Sequence, residues 1–142
     1  MMTKLFCVKR KWMKNNEWSL ERKSRLRANT ARLYHVTSEE NGKKILKSGR
    51  MYRGIQGWAG GGIYFATTPA AARSKARNSG VMLSATVLLG IVKHVTGFEG
   101  NIKKIHFRSL IREKCDSVSI DLAQTGQEYV VYNYDQVMNI RR

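Results

Sequence analysis

Few residues of this sequence are placed to do covalent or acid–base chemistry. There are three histidines (His35, His94 and His106) and two cysteines (Cys7 and Cys115). The cysteines lie far apart, with no Cys-x-x-Cys pair and no histidine at ligand spacing. That spacing supports neither a zinc site nor a disulfide framework. No nucleophile elbow and no paired-carboxylate spacing occurs. A glycine-rich segment (Gly49, Gly54, Gly57, Gly60, Gly61, Gly62) surrounds Trp58 and leads into Ile63-Tyr64-Phe65-Ala66. Clustered backbone N–H groups of this kind can cradle phosphate. The segment lacks the Gly-Lys-Ser/Thr ending of a P-loop, and it does not read as the strand-to-helix turn of a dinucleotide-binding βαβ unit. Taken singly, each candidate has a plainer explanation. His94 and His106 read as surface or strand-end residues. His35 reads as a half-buried strand histidine, Tyr64 as core and Glu128 as a solvated strand start.

The elements that would position these residues follow from periodicity and punctuation. Residues 1–15 read as an irregular basic arm, and Ser19 to Ala31 as a short helix. From Arg32 the chain alternates, with Leu33, His35 and Thr37 facing one way and Tyr34 and Val36 the other, which predicts a strand. Thr37-Ser38-Glu39-Glu40 reads as a capping box with Thr37 at the N-cap. The helix that follows would bury Ile45 and Leu46 and stop at Gly49. Residues 49–62 read as a mobile loop, Ile63–Ala66 as a short strand, and Thr68-Pro69 as the start of a helix running to about Asn78. Val81–Val95 reads as one long strand. Ile105–Phe107, Ser117–Ile120, Glu128–Tyr132 and Gln136–Ile140 complete a strand-rich second half. The class is α+β, with early helices and a mainly antiparallel sheet.

The order of these segments carries a resemblance that no single block carries. Leu33-Tyr34-His35-Val36-Thr37, Gly60-Gly61-Gly62-Ile63-Tyr64-Phe65-Ala66, Met82 to Gly90, and Cys115-Asp116-Ser117-Val118 with Gln127-Glu128-Tyr129-Val130-Val131-Tyr132 follow one another at compatible spacing. In that order they resemble the catalytic domain of the poly(ADP-ribose) polymerase-like, diphtheria-toxin-like ADP-ribosyltransferases, over roughly residues 32–140. The resemblance implies an ADP-ribosyltransferase-like fold, a mainly antiparallel split β-sheet with flanking short helices. It implies a domain over 32–142 preceded by the basic arm and possible helix of 1–31. It also implies NAD⁺ as co-substrate. His35 would bind a ribose hydroxyl, since a neutral imidazole offers one donor and one acceptor. The backbone of Val36 and Thr37 would pair with the nicotinamide carboxamide. The pyridinium would stack on Tyr64. Glu128 would accept a hydrogen bond from the ribose 2′-hydroxyl and stabilise the oxocarbenium-like transition state as nicotinamide leaves.

The sequence departs from the family's pattern in three places. Val36 follows the histidine where glycine is common. Counting from Tyr64, the usual serine and second stacking tyrosine fall near Ala72 and Lys75. Ser74 would serve only in a shifted helix, and Trp58 is the candidate replacement lid. Transfer of a single ADP-ribose is expected, because the segment before Cys115 offers little scaffold for an elongating acceptor. A catalytically silent binding module and an NAD⁺ glycohydrolase are the alternatives. A related RNA 2′-phosphotransferase is disfavoured by Glu128.

Charge bears on partners. The net charge is +16 in 142 residues. Residues 1–32 hold ten Lys+Arg against two Glu, so this segment is the most basic per residue. Phe6, Trp12 and Trp18 interleave with these cations, a pattern suited to nucleic acid, with acidic protein as the other acceptor or ligand class. The longest apolar stretch, Val87–Val92, is too short to span a bilayer, and no secretory signal is legible. A cytoplasmic or nuclear location is the expectation.

Overall fold

The computed structural model describes residues 15–142 except 78, 98, 99, 101, 124 and 125, with side chains from residue 20 onward apart from that of residue 103. Phe6, Cys7 and Trp12, and the side chain of Trp18, lie outside the described residues. The architecture is α+β, an open and mostly antiparallel seven-stranded sheet with few helices. In chain order the elements are α1 (Asn15–Arg27), β1 (Thr30–Thr37), α2 (Glu39–Ser48), β2 (Ile63–Ala66), α3 (Pro69–Lys75), β3 (Val81–Leu88), β4 (Val92–Thr96), α4 (Phe107–Arg112), β5 (Ser117–Asp121), β6 (Gln127–Val131) and β7 (Val137–Arg141). The strands lie in the order β4-β5-β6-β2-β1-β3-β7. All neighbours are antiparallel except β4 and β5.

Pairing is uneven, and that unevenness makes the site. β1 pairs with β3 over eight residues, from Thr30↔Leu88 to Thr37↔Val81. β2 pairs with β6 over four, including Tyr64↔Val130 and Ala66↔Glu128. Between β1 and β2 the register holds a single pair, Tyr34↔Ala66. The sheet therefore parts between its two halves. One core cluster spans the parting, with residues from β1, β2, β3, β6 and β7, and the other lies against β4, β5 and β6. Leu33, Phe65, Ala85, Val87 and Val131 anchor one core cluster, and Val118, Ile120, Val130, Leu110 and Tyr132 the other. Val130 and Val131 are adjacent, both wholly buried, and belong to different clusters, so β6 is covered on both faces. That is why the end of the strand carries consecutive apolar residues rather than an alternation.

Several local expectations are corrected. The run expected as one strand over Val81–Val95 is two, β3 and β4, at distant positions in the sheet. Gly90 breaks it with φ +57°, and a Cβ there would lie 2.3 Å from Asp116 Oδ2. Glycine is required by both conformation and space. Phe107 starts a helix, not a strand. The His106 ring accepts from Ser109 N at 3.4 Å while Ser109 Oγ accepts from His106 N at 3.0 Å, so two orphan amides are capped reciprocally.

The N-cap of α2 is Ser38, not Thr37; its hydroxyl accepts from Asn41 N at 3.2 Å, so Glu40 closes no capping box. Gly42 is the buried residue of α2, against Val81 and Thr37, and Leu46 is 38% exposed. Gly49 ends α2 as expected, at φ +70°. Helix α3 is capped by Thr68 with Pro69 at its start, as expected, and ends at Lys75 rather than Asn78. Within the loop over 49–62, Met51 and Ala59 are buried, and Gly54 N donates to Gly62 O at 3.0 Å.

Helix α1 leans on the sheet. Leu26 is buried, and Arg25 grips Asp116 with two bonds of 2.7 Å, while Asp116 also accepts from Ile91 N at 2.9 Å. Arg22 pairs with Asp135.

Candidate functional site

The cleft between the two halves of the sheet has a volume of about 160 Å³ and is lined by residues of β1, β2, α3 and β6. It brings together His35, Val36, Tyr64 and Glu128. A larger hollow of about 650 Å³ lies between α1 and α4. It contains none of these four residues, and of its two acids, Glu21 and Asp116, the latter is already held by Arg25. The smaller cleft is therefore the chemical candidate.

His35 reaches into the parting of the strands. Its Nδ1 lies 2.6 Å from the Tyr64 carbonyl oxygen, and its ring sits 5.7 Å from that of Phe65. A carbonyl can only accept, so Nδ1 carries the proton. Burial depresses the pKa of the ring below its usual value, with the Tyr64 carbonyl opposing. The neutral ring then presents Nε2 as an acceptor, suited to a hydroxyl.

Tyr64 is fixed at its far end. Its hydroxyl accepts from Ala59 N at 2.8 Å and donates to Gly60 O at 2.5 Å. The glycine loop closes tightly over that hydroxyl, for a Cβ on Gly57 would stand 2.3 Å from it. Desolvation pushes the phenol up to about 12, with the charge of Glu128 adding to the rise. Tyr64 is thus no acid–base group near neutrality. What it offers the cleft is a ring held in place.

Glu128 is the second residue of β6, opposite Ala66. Its Oε1 lies 3.1 Å from Lys75 Nζ, with side-chain exposures of 13% and 21%. The Lys75 ammonium is enclosed and makes no hydrogen bond of ordinary geometry. The carboxylate is its counter-charge within the cleft, and Oε2 is left to accept from a ligand.

Not every residue singled out from the sequence reaches the cleft. Ser74 is exposed on α3 and does not line it. Thr37 pairs with Val81, and its methyl faces Gly42 of α2. Trp58 is half exposed at the turn before Ala59 and is not part of the lining. Lys75 is the member whose role sequence reasoning missed. The signal was its helical spacing: Ala72, Lys75 and Ala76 fall on one face of α3, and all three line the cleft.

Among the described residues no helix is long and apolar enough to cross a membrane. No protein-family model matches the chain, and no curated protein matches it.

Proposed function

We propose that the protein is an NAD⁺-dependent ADP-ribosyltransferase that passes one ADP-ribose to a macromolecular acceptor and releases nicotinamide. The observation that carries this reading is the convergence of His35, Tyr64 and Glu128, from three different strands, on one cleft where β1 and β2 part. The cleft is smaller than the roughly 300–1,000 Å³ usual for a drug-sized ligand. It suits one end of a dinucleotide, the pyridinium and its ribose, with the remainder outside. His35 Nε2 accepts a ribose hydroxyl. The Tyr64 ring forms one wall for the pyridinium, a cation–π contact worth about 1–2 kcal/mol when desolvated. Glu128 accepts the 2′-hydroxyl and stabilises positive charge as the bond from C1′ to the nicotinamide nitrogen breaks. Stabilisation confined to the transition state raises turnover rather than ground-state affinity. An acceptor nucleophile then attacks C1′ and gives up its proton. The net charge of +16 favours a nucleic acid or acidic protein as that acceptor.

A second reading rests on Lys75. Its ammonium engages the one carboxylate of the cleft, which suits a silent module that binds ADP-ribose without turnover. Incubation with labelled NAD⁺, alone and with DNA, RNA or lysate, separates the two. Label on a macromolecule, lost on Glu128→Gln, is the expected result. Free ADP-ribose alone identifies a glycohydrolase. ADP-ribose binding without nicotinamide release overturns the transferase reading.

A further inference from the structure

The loop after α2, the start of α4 and the turn after β6 meet on a surface that the proposed reaction does not use. Tyr52 is 66% exposed and Tyr134 46%. Their ring centroids are 5.7 Å apart with the planes tilted by 55°. The Arg50 guanidinium lies 4.8 Å from the Tyr134 centroid. Beside them the Arg53 guanidinium sits 4.1 Å from the Phe107 centroid, and that of Arg108 sits 5.6 Å from it. Arg53 Nη1 donates to the Tyr132 carbonyl at 2.9 Å, which ties this group to the end of β6.

The charge here is not balanced locally. The nearby acids are already engaged: Asp135 by Arg22, Asp116 by Arg25 and Glu113 by Lys93. Among the described residues, Arg50, Arg53 and Arg108 have no carboxylate partner. Tyr52 and Tyr134 are exposed and in contact with each other, and it is a contiguous exposed patch, not a single ring, that marks an interaction surface. A cationic surface alone suits any polyanion. Cations together with an open ring suit a polyanion that also carries flat bases.

We propose that Arg50, Tyr52, Arg53, Phe107, Arg108 and Tyr134 form a binding surface for single-stranded nucleic acid. The two tyrosines are too close and too tilted to clamp a base between them. A base stacks instead on the outward face of Tyr52, with phosphates on Arg50 and Arg108. A duplex hides its base faces and cannot use the ring. An acidic peptide is met by the arginines alone and has no use for an exposed Tyr52.

The test is anisotropy titration of the full chain with a labelled single-stranded oligonucleotide, with the matching duplex, heparin and a poly-glutamate peptide as the other arms. Tyr52→Ala is expected to weaken single-strand binding by roughly tenfold, the scale of one base–aromatic stack. Heparin binding should not change, and Tyr52→Phe should restore the loss. Arg50→Gln with Arg108→Gln should lower the slope of log affinity against log salt by about 1.4, or ~0.7 per phosphate contact on a single strand. The basic arm contributes equally to every variant, so it cannot mimic these differences. The proposal is overturned if Tyr52→Ala leaves single-strand affinity unchanged or weakens heparin equally. It is also overturned if Tyr52→Ala weakens duplex or poly-glutamate binding as much as it weakens single-strand binding.

Discussion

The Lys75–Glu128 pair yields the sharpest prediction, because it decides how any test of Glu128 is to be interpreted. The charges are 3.1 Å apart, and both side chains are mostly buried. At an effective dielectric constant between about 20 and 80, this separation gives about 1–5 kcal/mol of gross attraction. Desolvation offsets part of that, so the expected coupling is about 1–3 kcal/mol. The two single changes should differ. Glu128→Gln leaves an ammonium enclosed with no hydrogen bond, and should destabilise by roughly 2–3 kcal/mol. At about 3 °C per kcal/mol for a domain of this size, Tm falls by ~6–9 °C. Lys75→Met keeps the apolar stem and leaves a carboxylate with some access to water, and should destabilise by about 1–2 kcal/mol. The double variant should lose less than the sum. Denaturant unfolding of all four proteins closes the cycle. A coupling within about 0.3 kcal/mol of zero would refute the reasoning, since that is the scatter of independent sites. The cycle also supplies a control for the turnover assay: Lys75→Met/Glu128→Gln removes the carboxylate proposed to be catalytic without stranding a buried cation.

Three further outcomes are expected. The His35 pKa is depressed by burial, so the unfolded chain binds the proton more readily than the folded one. Stability from neutral His35 is therefore present above pH 6.5, the ordinary value, and is lost as pH falls from there toward the folded pKa, at up to about 1.4 kcal/mol per pH unit. His35→Asn should flatten this limb of the stability–pH profile; an unchanged limb would show that His35 is not its source. Gly57→Ala should displace the Tyr64 hydroxyl, 2.3 Å from the new Cβ, and weaken NAD⁺ binding about five- to thirtyfold, the equivalent of the lost cation–π contact. Equal affinity in calorimetry would remove Tyr64 from the donor site. Gln136 is buried, donates to Leu88 O and Asp116 O, and accepts from Tyr132 N. Gln136→Leu should destabilise by about 2–4 kcal/mol, because three backbone groups lose their partner; a loss under ~1 kcal/mol in urea unfolding would show that water replaces the amide.

Much of the local structure was written in the sequence. The strand through Leu33, His35 and Thr37, the Thr68-Pro69 start and the glycine at position 49 each rest on short-range sterics and hydrogen bonding. They were legible because the cause lies within a few residues. Gly90, Phe107 and Ser38 were misread for separate reasons. The break at Gly90 is enforced by Asp116, a residue 26 positions later in sequence. The α4 cap depends on His106 and Ser109 bonding each other rather than on apolar alternation. At α2, two adjacent hydroxyls competed for one cap. For the site, the sequence supplied His35, Tyr64 and Glu128 as types in an order. Only the tertiary structure decided that β1 and β2 pair at one position and then part, because strand register is set by contacts between segments distant in sequence. It also decided that Lys75 faces Glu128. Which charge neutralises which depends on distances across separate strands and helices, and one-dimensional spacing does not encode them.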